Sequence, residues 1–242
     1  MFALLKKEIV SFFSSIVGYL VVVVFLAIVG LYLWIFPGDM NIFAGGYATI
    51  ESLFVLAPWV FLFLVPAITM RLFAEEHKAG TLESLLTKPL SDWQIVNAKY
   101  LAGLLLVTIS LLPTLIYFIS VHFFLSNKSM DVGGTIGSYI GLFFLAAIYT
   151  SIGVFASSIT QNQIVAFITG ILLSFFFFIG FQYITELRIW GNFSVIIDYL
   201  GINRHYISIS RGVIDSRDII YFLSIIFSFL YLTKFALEKR KW

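Results

Sequence analysis

The 242-residue chain contains no cysteine, and only 12% of its residues are charged. Without cysteine there is neither a disulfide framework nor a thiolate metal site, an absence that suits either side of a membrane. Common enzyme patterns are missing as well: there is no His-Glu-x-x-His zinc helix and no Gly-x-Ser-x-Gly elbow. No Gly-Lys dipeptide occurs, which excludes a P-loop, so energy for any work across a membrane must come from another chain. A net charge of +2 is too small to argue for a nucleic-acid partner. No catalytic residue, metal site or cofactor of its own is therefore expected.

What is present is apolar. Hydrophobic residues make up 60% of the chain, with 27 phenylalanines, and the mean hydropathy is +1.00. These values lie outside the range of soluble domains and define an integral membrane protein. Six runs are long enough for a hydrocarbon core of roughly 30 Å, which takes about 20 helical residues. They fall near Ile16 to Phe36, Leu53 to Met70, Leu101 to Leu125, Ser138 to Ser157, Ile164 to Ile184 and Ile219 to Phe235. The first five contain no Asp, Glu, Lys or Arg, and the sixth only Lys234 near its end. Ion-coupled transporters and voltage sensors carry ionisable groups at membrane depth, so those classes are disfavoured. His122 is the lone candidate for such a group, and an interfacial polar role suits it better than a proton relay.

The basic residues orient the chain. With both ends inside, Lys6, Lys7, the loop holding Arg71, Lys78, Lys88 and Lys99, and the tail from Lys234 contribute ten Lys and Arg to the cytoplasmic side, against five outside. Four of the outer five, Arg188, Arg204, Arg211 and Arg217, sit in a segment too greasy for a free loop. Phe193, Ile196, Ile197 and Leu200 recur there at helical spacing, so a short outer re-entrant helical hairpin is expected over 185–218. At the other end, Phe2, Leu5, Ile9, Phe12, Phe13 and Ile16 keep helical spacing opposite Lys6, Lys7 and Glu8, which predicts an interfacial helix over 1–15.

Between the second and third spans lies RLFAEEHKAGTLESLLTKPLSDWQIVNAK, a polar cassette over 71–99. Gly80 offers a helix stop, Thr81 an N-cap, and Glu83 an acid in the first turn; Leu82, Leu85 and Leu86 make one apolar face before Pro89 ends the helix. Ser91 and Gln94 then form a capping box that opens the third span. Elsewhere, Gly133, Gly137 and Gly141 form a chained Gly-x-x-x-Gly suited to close helix approach, within the chain first and between subunits second. Pro58, Pro66 and Pro113 predict kinks, and Trp34, Trp190 and Trp242 suit an aromatic belt.

The stretch MRLFAEEHKAGTLESLLTKPLSDWQIVNAKYLAG resembles the signature segment of the ABC type-2 permease family. LLKKEIVSFFSSIVGYL is similar to that family's leading helix and first span, and SRGVIDSRDIIYFLSIIFSFLYLT to its last. The wording is nearest to permease subunits of gliding-motility-associated transporters. The resemblance implies an all-α, polytopic inner-membrane protein: one permease domain over 1–242 with six transmembrane helices. The short helix in the cassette would be a coupling helix on a separate ATP-binding subunit, where ATP and Mg would be held. On that carry-over Glu75, Glu76, Gly80, Thr81, Glu83, Leu85, Leu86 and Pro89 contact or shape the joint, with the acids meeting basic groups and Leu85 and Leu86 filling an apolar slot. Further partners would be a second permease chain, identical or larger, and membrane lipid. The competing reading is a non-transporting anchor or assembly factor that docks a cytoplasmic protein; ATP-dependent substrate movement separates the two.

Overall fold

A computed structural model describes residues 1–43, 49–87, 89–125, 131–187, 191–212 and 215–239. The chain is all helical among these residues. An amphipathic helix α1 (Phe2–Phe13) leads into α2 (Ile16–Gly30), which ends in a π-helical turn over Leu31–Ile35. The next span is split: α3 (Glu51–Thr69) runs through Pro58 and Pro66 and breaks only at Met70, after which α4 (Arg71–Lys78) continues. A one-and-a-half-turn helix α5 (Thr81–Leu86) follows, then α6 (Asp92–Leu111). At Pro113 the α-helix gives way to a 3-10 turn, and the span resumes as α7 (Leu115–Ser120). The rest are α8 (Val132–Ser158), α9 (Gln163–Phe175), α10 (Phe181–Glu186), α11 (Ser194–Asp198), α12 (Ile202–Ser210) and α13 (Ser216–Glu238).

Six of these helical stretches are long and apolar enough to cross a membrane, in the order expected from the hydropathy. The capping box forms: Ser91 Oγ accepts from the Gln94 amide at 3.3 Å and Gln94 Oε1 from the Ser91 amide at 3.1 Å. Burial sorts the spans. α8 is 78% buried in its apolar window, whereas α2, α9 and α13 are 28% buried and leave most of their surface for lipid. α8 is therefore the central post, touched by α3, α4, α6, α9, α12 and α13.

Small residues let the other helices close on that post. A Cβ at Gly153 would stand 2.0 Å from Thr69 Oγ1, so α3 and α8 are in backbone-level contact there. Of the glycines singled out by spacing, Gly137 faces α12 so closely that a Cβ would lie 2.7 Å from Gly212 Cα, and Gly141 meets Tyr206 and Ile209 of the same helix. Gly133 differs, since its nearest neighbour is its own cap, Asp131.

The segment expected as a re-entrant hairpin contains α11 and α12. α12 buries Ile202, His205, Tyr206 and Ile209. His205 donates from Nε2 to the Tyr199 carbonyl at 2.9 Å, lies 2.6 Å through Nδ1 from Asp218 of α13, and stacks on Tyr221. Of the arginines in this segment, Arg204 pairs with Asp198 over the Tyr199 ring, and Arg211 lines a cavity described below. Arg188, Trp190, Trp242, Lys88 and Lys128 lie outside the described residues. Trp34 packs edge-on to Phe43 and Tyr117, and His122 stacks on Phe118.

Candidate functional site

Four charged side chains from three distant segments meet where α1, α4 and α6 converge. Lys99 of α6 is fully buried, and its Nζ stands 2.9 Å from an oxygen of Glu8 on α1 and 2.9 Å from an oxygen of Glu76 on α4. It also donates to the Leu72 carbonyl and sits over the Phe73 ring. Lys7 closes the set from outside, 2.9 Å from the other oxygen of Glu76. Two ammonium groups and two carboxylates cancel, which is the condition for keeping charge out of water. Partial burial works against the Lys7 charge, but the Glu76 hydrogen bond and the attraction of Glu76, Glu8 and Glu75 hold its ammonium above the usual lysine range.

A second clasp sits beside the first. Arg71 at the start of α4 donates to Ser15 Oγ at 2.9 Å and lies over the Phe12 ring. The break at Met70 is itself repaired from α8: Ser157 Oγ accepts from the amides of Phe73 and Ala74, both at 3.0 Å, and donates to the Met70 carbonyl at 2.9 Å. One hydroxyl thus satisfies three backbone groups that the interrupted helix leaves without partners. His77 adds a bond to the Ser158 carbonyl at 3.2 Å. The result is that α4 is fastened to α1, α6 and α8 on its inner side.

The outer side is what remains for a partner. Gly80 takes a left-handed φ of 66° and serves as both the stop of α4 and the N-cap position of α5, so Thr81 is the first helical residue rather than the cap. Its hydroxyl reaches back to the Glu76 carbonyl at 3.5 Å. Glu75, Thr81, Glu83 and Pro89 are exposed. Leu82 and Leu85 instead point into this chain's own core, at 5% and 6% exposure.

Several expectations about the joint change accordingly. Leu85 is not free to fill a partner's slot, because α5 uses it to seat itself. The side chain of Leu86 lies outside the described residues. Glu76, expected to meet basic groups on a partner, is spent on Lys99 and Lys7. Glu8 is not on the solvent face with Lys6; it shares an inner stripe with Leu4 and Phe12, four residues to either side. The sequence reading missed Lys99, Glu8 and Ser157. Lys99 lies just below the apolar run of the third span, and its burial is foreshadowed only by a lysine in register with Ile95, Val96 and Tyr100 on a helix face. Ser157 has no such signal, being one more serine in an apolar helix.

The cassette is thus clamped on its inner side and exposes Glu75, Lys78, Thr81 and Glu83 on its outer side. Residues 3–232 match the family model described as ABC-2 family transporter protein. The chain belongs to the ABC-2 transporter family. No curated protein matches it. As an ABC-2 permease it is a multi-pass membrane component of an ABC transporter and works with an ATP-binding subunit. In this permease the residues that shape the cassette, Gly80, Arg71, Lys99 and Ser157, are distinct from those it presents, Glu75, Thr81 and Glu83.

Proposed function

We propose that this permease couples ATP hydrolysis on a separate subunit to export or mechanical work across the inner membrane, with α5 as the coupling helix. The observation that carries the reading is the division of the α4–α5 cassette into a clamped inner side and an exposed side that carries Glu75, Lys78 and Glu83. A short helix held by its own Leu82 and Leu85 can be pushed as a unit with α4, because the ion pairs tie α4 to the helices around it. Glu75 and Glu83 then meet basic groups of the ATP-binding subunit, which holds ATP and Mg. A second permease chain, a copy or a larger relative, completes the transporter, and both ends of the chain are cytoplasmic. Support of gliding motility is the physiological output that the wording of the cassette favours.

The test is co-expression of the tagged permease with an ATP-binding subunit encoded beside it. Glu83→Arg together with Glu75→Arg should abolish co-purification while membrane insertion stays normal. Full retention of the ATPase by the inserted double variant refutes the coupling role of α5.

A further inference from the structure

A cavity lies away from the cassette, between α3, α8 and α12. It holds about 760 Å³, a volume in the range of small-ligand sites. Its rim is charged: Glu51 opens α3, Asp131 caps α8, and Arg211 follows α12. One Asp131 oxygen takes the Gly134 amide at 2.9 Å. Among the described residues, neither the Glu51 carboxylate nor the Arg211 guanidinium has an ion-pair partner, although they line the same cavity. Below the rim the wall turns apolar. Val55 and Trp59 are 52% and 43% exposed, and Trp59 is backed edge-on by Phe178. From Glu51 to Trp59 the wall descends eight residues, about 12 Å along the helix, into a span. The walls are pinned, since the Tyr206 hydroxyl donates to the Phe54 carbonyl at 2.6 Å and Ser138 to the Ser210 carbonyl at 2.7 Å.

This geometry points to a binding site for one zwitterionic amphiphile: its ammonium rests against Glu51 and Asp131, its phosphate against Arg211, and its acyl chains along Val55 and Trp59. A purely anionic headgroup would face two carboxylates with one guanidinium to hold it, and a purely cationic one would face Arg211. A headgroup with both signs satisfies all three. The descent of the wall into the span, with its apolar side chains uncovered, selects a lipid-like molecule over a soluble one. The site is independent of the coupling role proposed for α5.

The test uses the delipidated full chain in detergent, with bound lipid counted by native mass spectrometry. Phosphatidylethanolamine and phosphatidylglycerol of equal chain length are the probes, with water-soluble glycerophosphoethanolamine as competitor. One phosphatidylethanolamine per chain should be held at least about fivefold more tightly than phosphatidylglycerol, the size of effect expected from one partly exposed charge contact. Glu51→Gln should reduce that preference, Arg211→Gln should weaken both lipids together because both carry the phosphate, and Val55→Trp should weaken both lipids by filling the apolar wall while leaving the rim intact. Equal retention of the two lipids, a preference unchanged in Glu51→Gln, or binding of both lipids unchanged in Arg211→Gln overturns the proposal. Competition by glycerophosphoethanolamine at the lipid's own affinity overturns the amphiphile assignment.

Discussion

Replacing Lys99 by methionine removes the charge that two carboxylates share while conserving most of the volume. Glu8 and Glu76 have side chains only 12% exposed, so water cannot replace the ammonium. Breaking a buried pair from one side costs about 3–5 kcal/mol, and the low end applies here because Lys7 still stands 2.9 Å from Glu76. For a chain of this length each kcal/mol moves the unfolding midpoint by about 2–4 °C, so the expected drop is about 6–12 °C. Thermal unfolding of the purified full chain in detergent, followed by tryptophan fluorescence, measures it. Lys234→Met is the control: it removes an exposed i,i+4 pair with Glu238 and a contact over the Trp93 ring, neither of which strands a buried charge. The triple variant Lys99→Met, Glu8→Gln, Glu76→Gln should recover most of the loss, since neutral groups of similar shape carry no uncompensated charge. The reasoning fails if Lys99→Met lowers the midpoint no more than Lys234→Met, or if the triple variant is as unstable as the single one.

Other outcomes follow from the same structure. Ser157→Ala should cost about 1–3 kcal/mol by stranding the Phe73 and Ala74 amides, with faster hydrogen exchange confined to α4 as the accompanying sign. Gly153→Ala forces a methyl group onto Thr69 Oγ1 and should destabilise by about 1–3 kcal/mol; adding Thr69→Ala removes the 2.0 Å contact and should recover part of the midpoint. Because the Lys7 pKa is raised on folding, its contribution is fully present below the ordinary lysine value of 10.5 and is lost as pH climbs through the folded value. An alkaline unfolding series should therefore show a decline above about pH 10.5 that is smaller in Lys7→Gln. Gly80→Ala introduces a side chain at φ 66° and should cost about 1 kcal/mol through backbone strain, read as a midpoint shift of a few degrees with unchanged insertion.

The spans, the capping box and the punctuation at Gly80 were legible because each depends on residues within a turn or two of one another. Hydropathy runs, a Ser-x-x-Gln pair and a left-handed glycine are local facts. The ion cluster was not legible, because Glu8 and Lys99 are 91 residues apart and nothing local tells which side of α1 will be pressed against α6. Periodicity correctly gave α1 two faces, yet Glu8 falls near the boundary between them and its partner decides its direction. Leu85 shows the same limit: an apolar stripe must be covered, but the sequence does not say whether the cover is this chain or another. Pro66 gives a third case. The span continues through it for another turn and breaks at Met70, where Ser157 can take over the exposed amides.

The α8 helix runs without interruption: no proline, no 3-10 turn and no π turn breaks Val132–Ser158, whereas α6 and α9 beside it each pass into one. Ser157, near one end, grips α4; Ser138, near the other, grips the carbonyl at the end of α12. The 19 residues between them correspond to about 28 Å of rod. If the cassette is pushed as proposed, a rod gripped at both ends would carry that displacement as tilt toward the cavity between α3, α8 and α12.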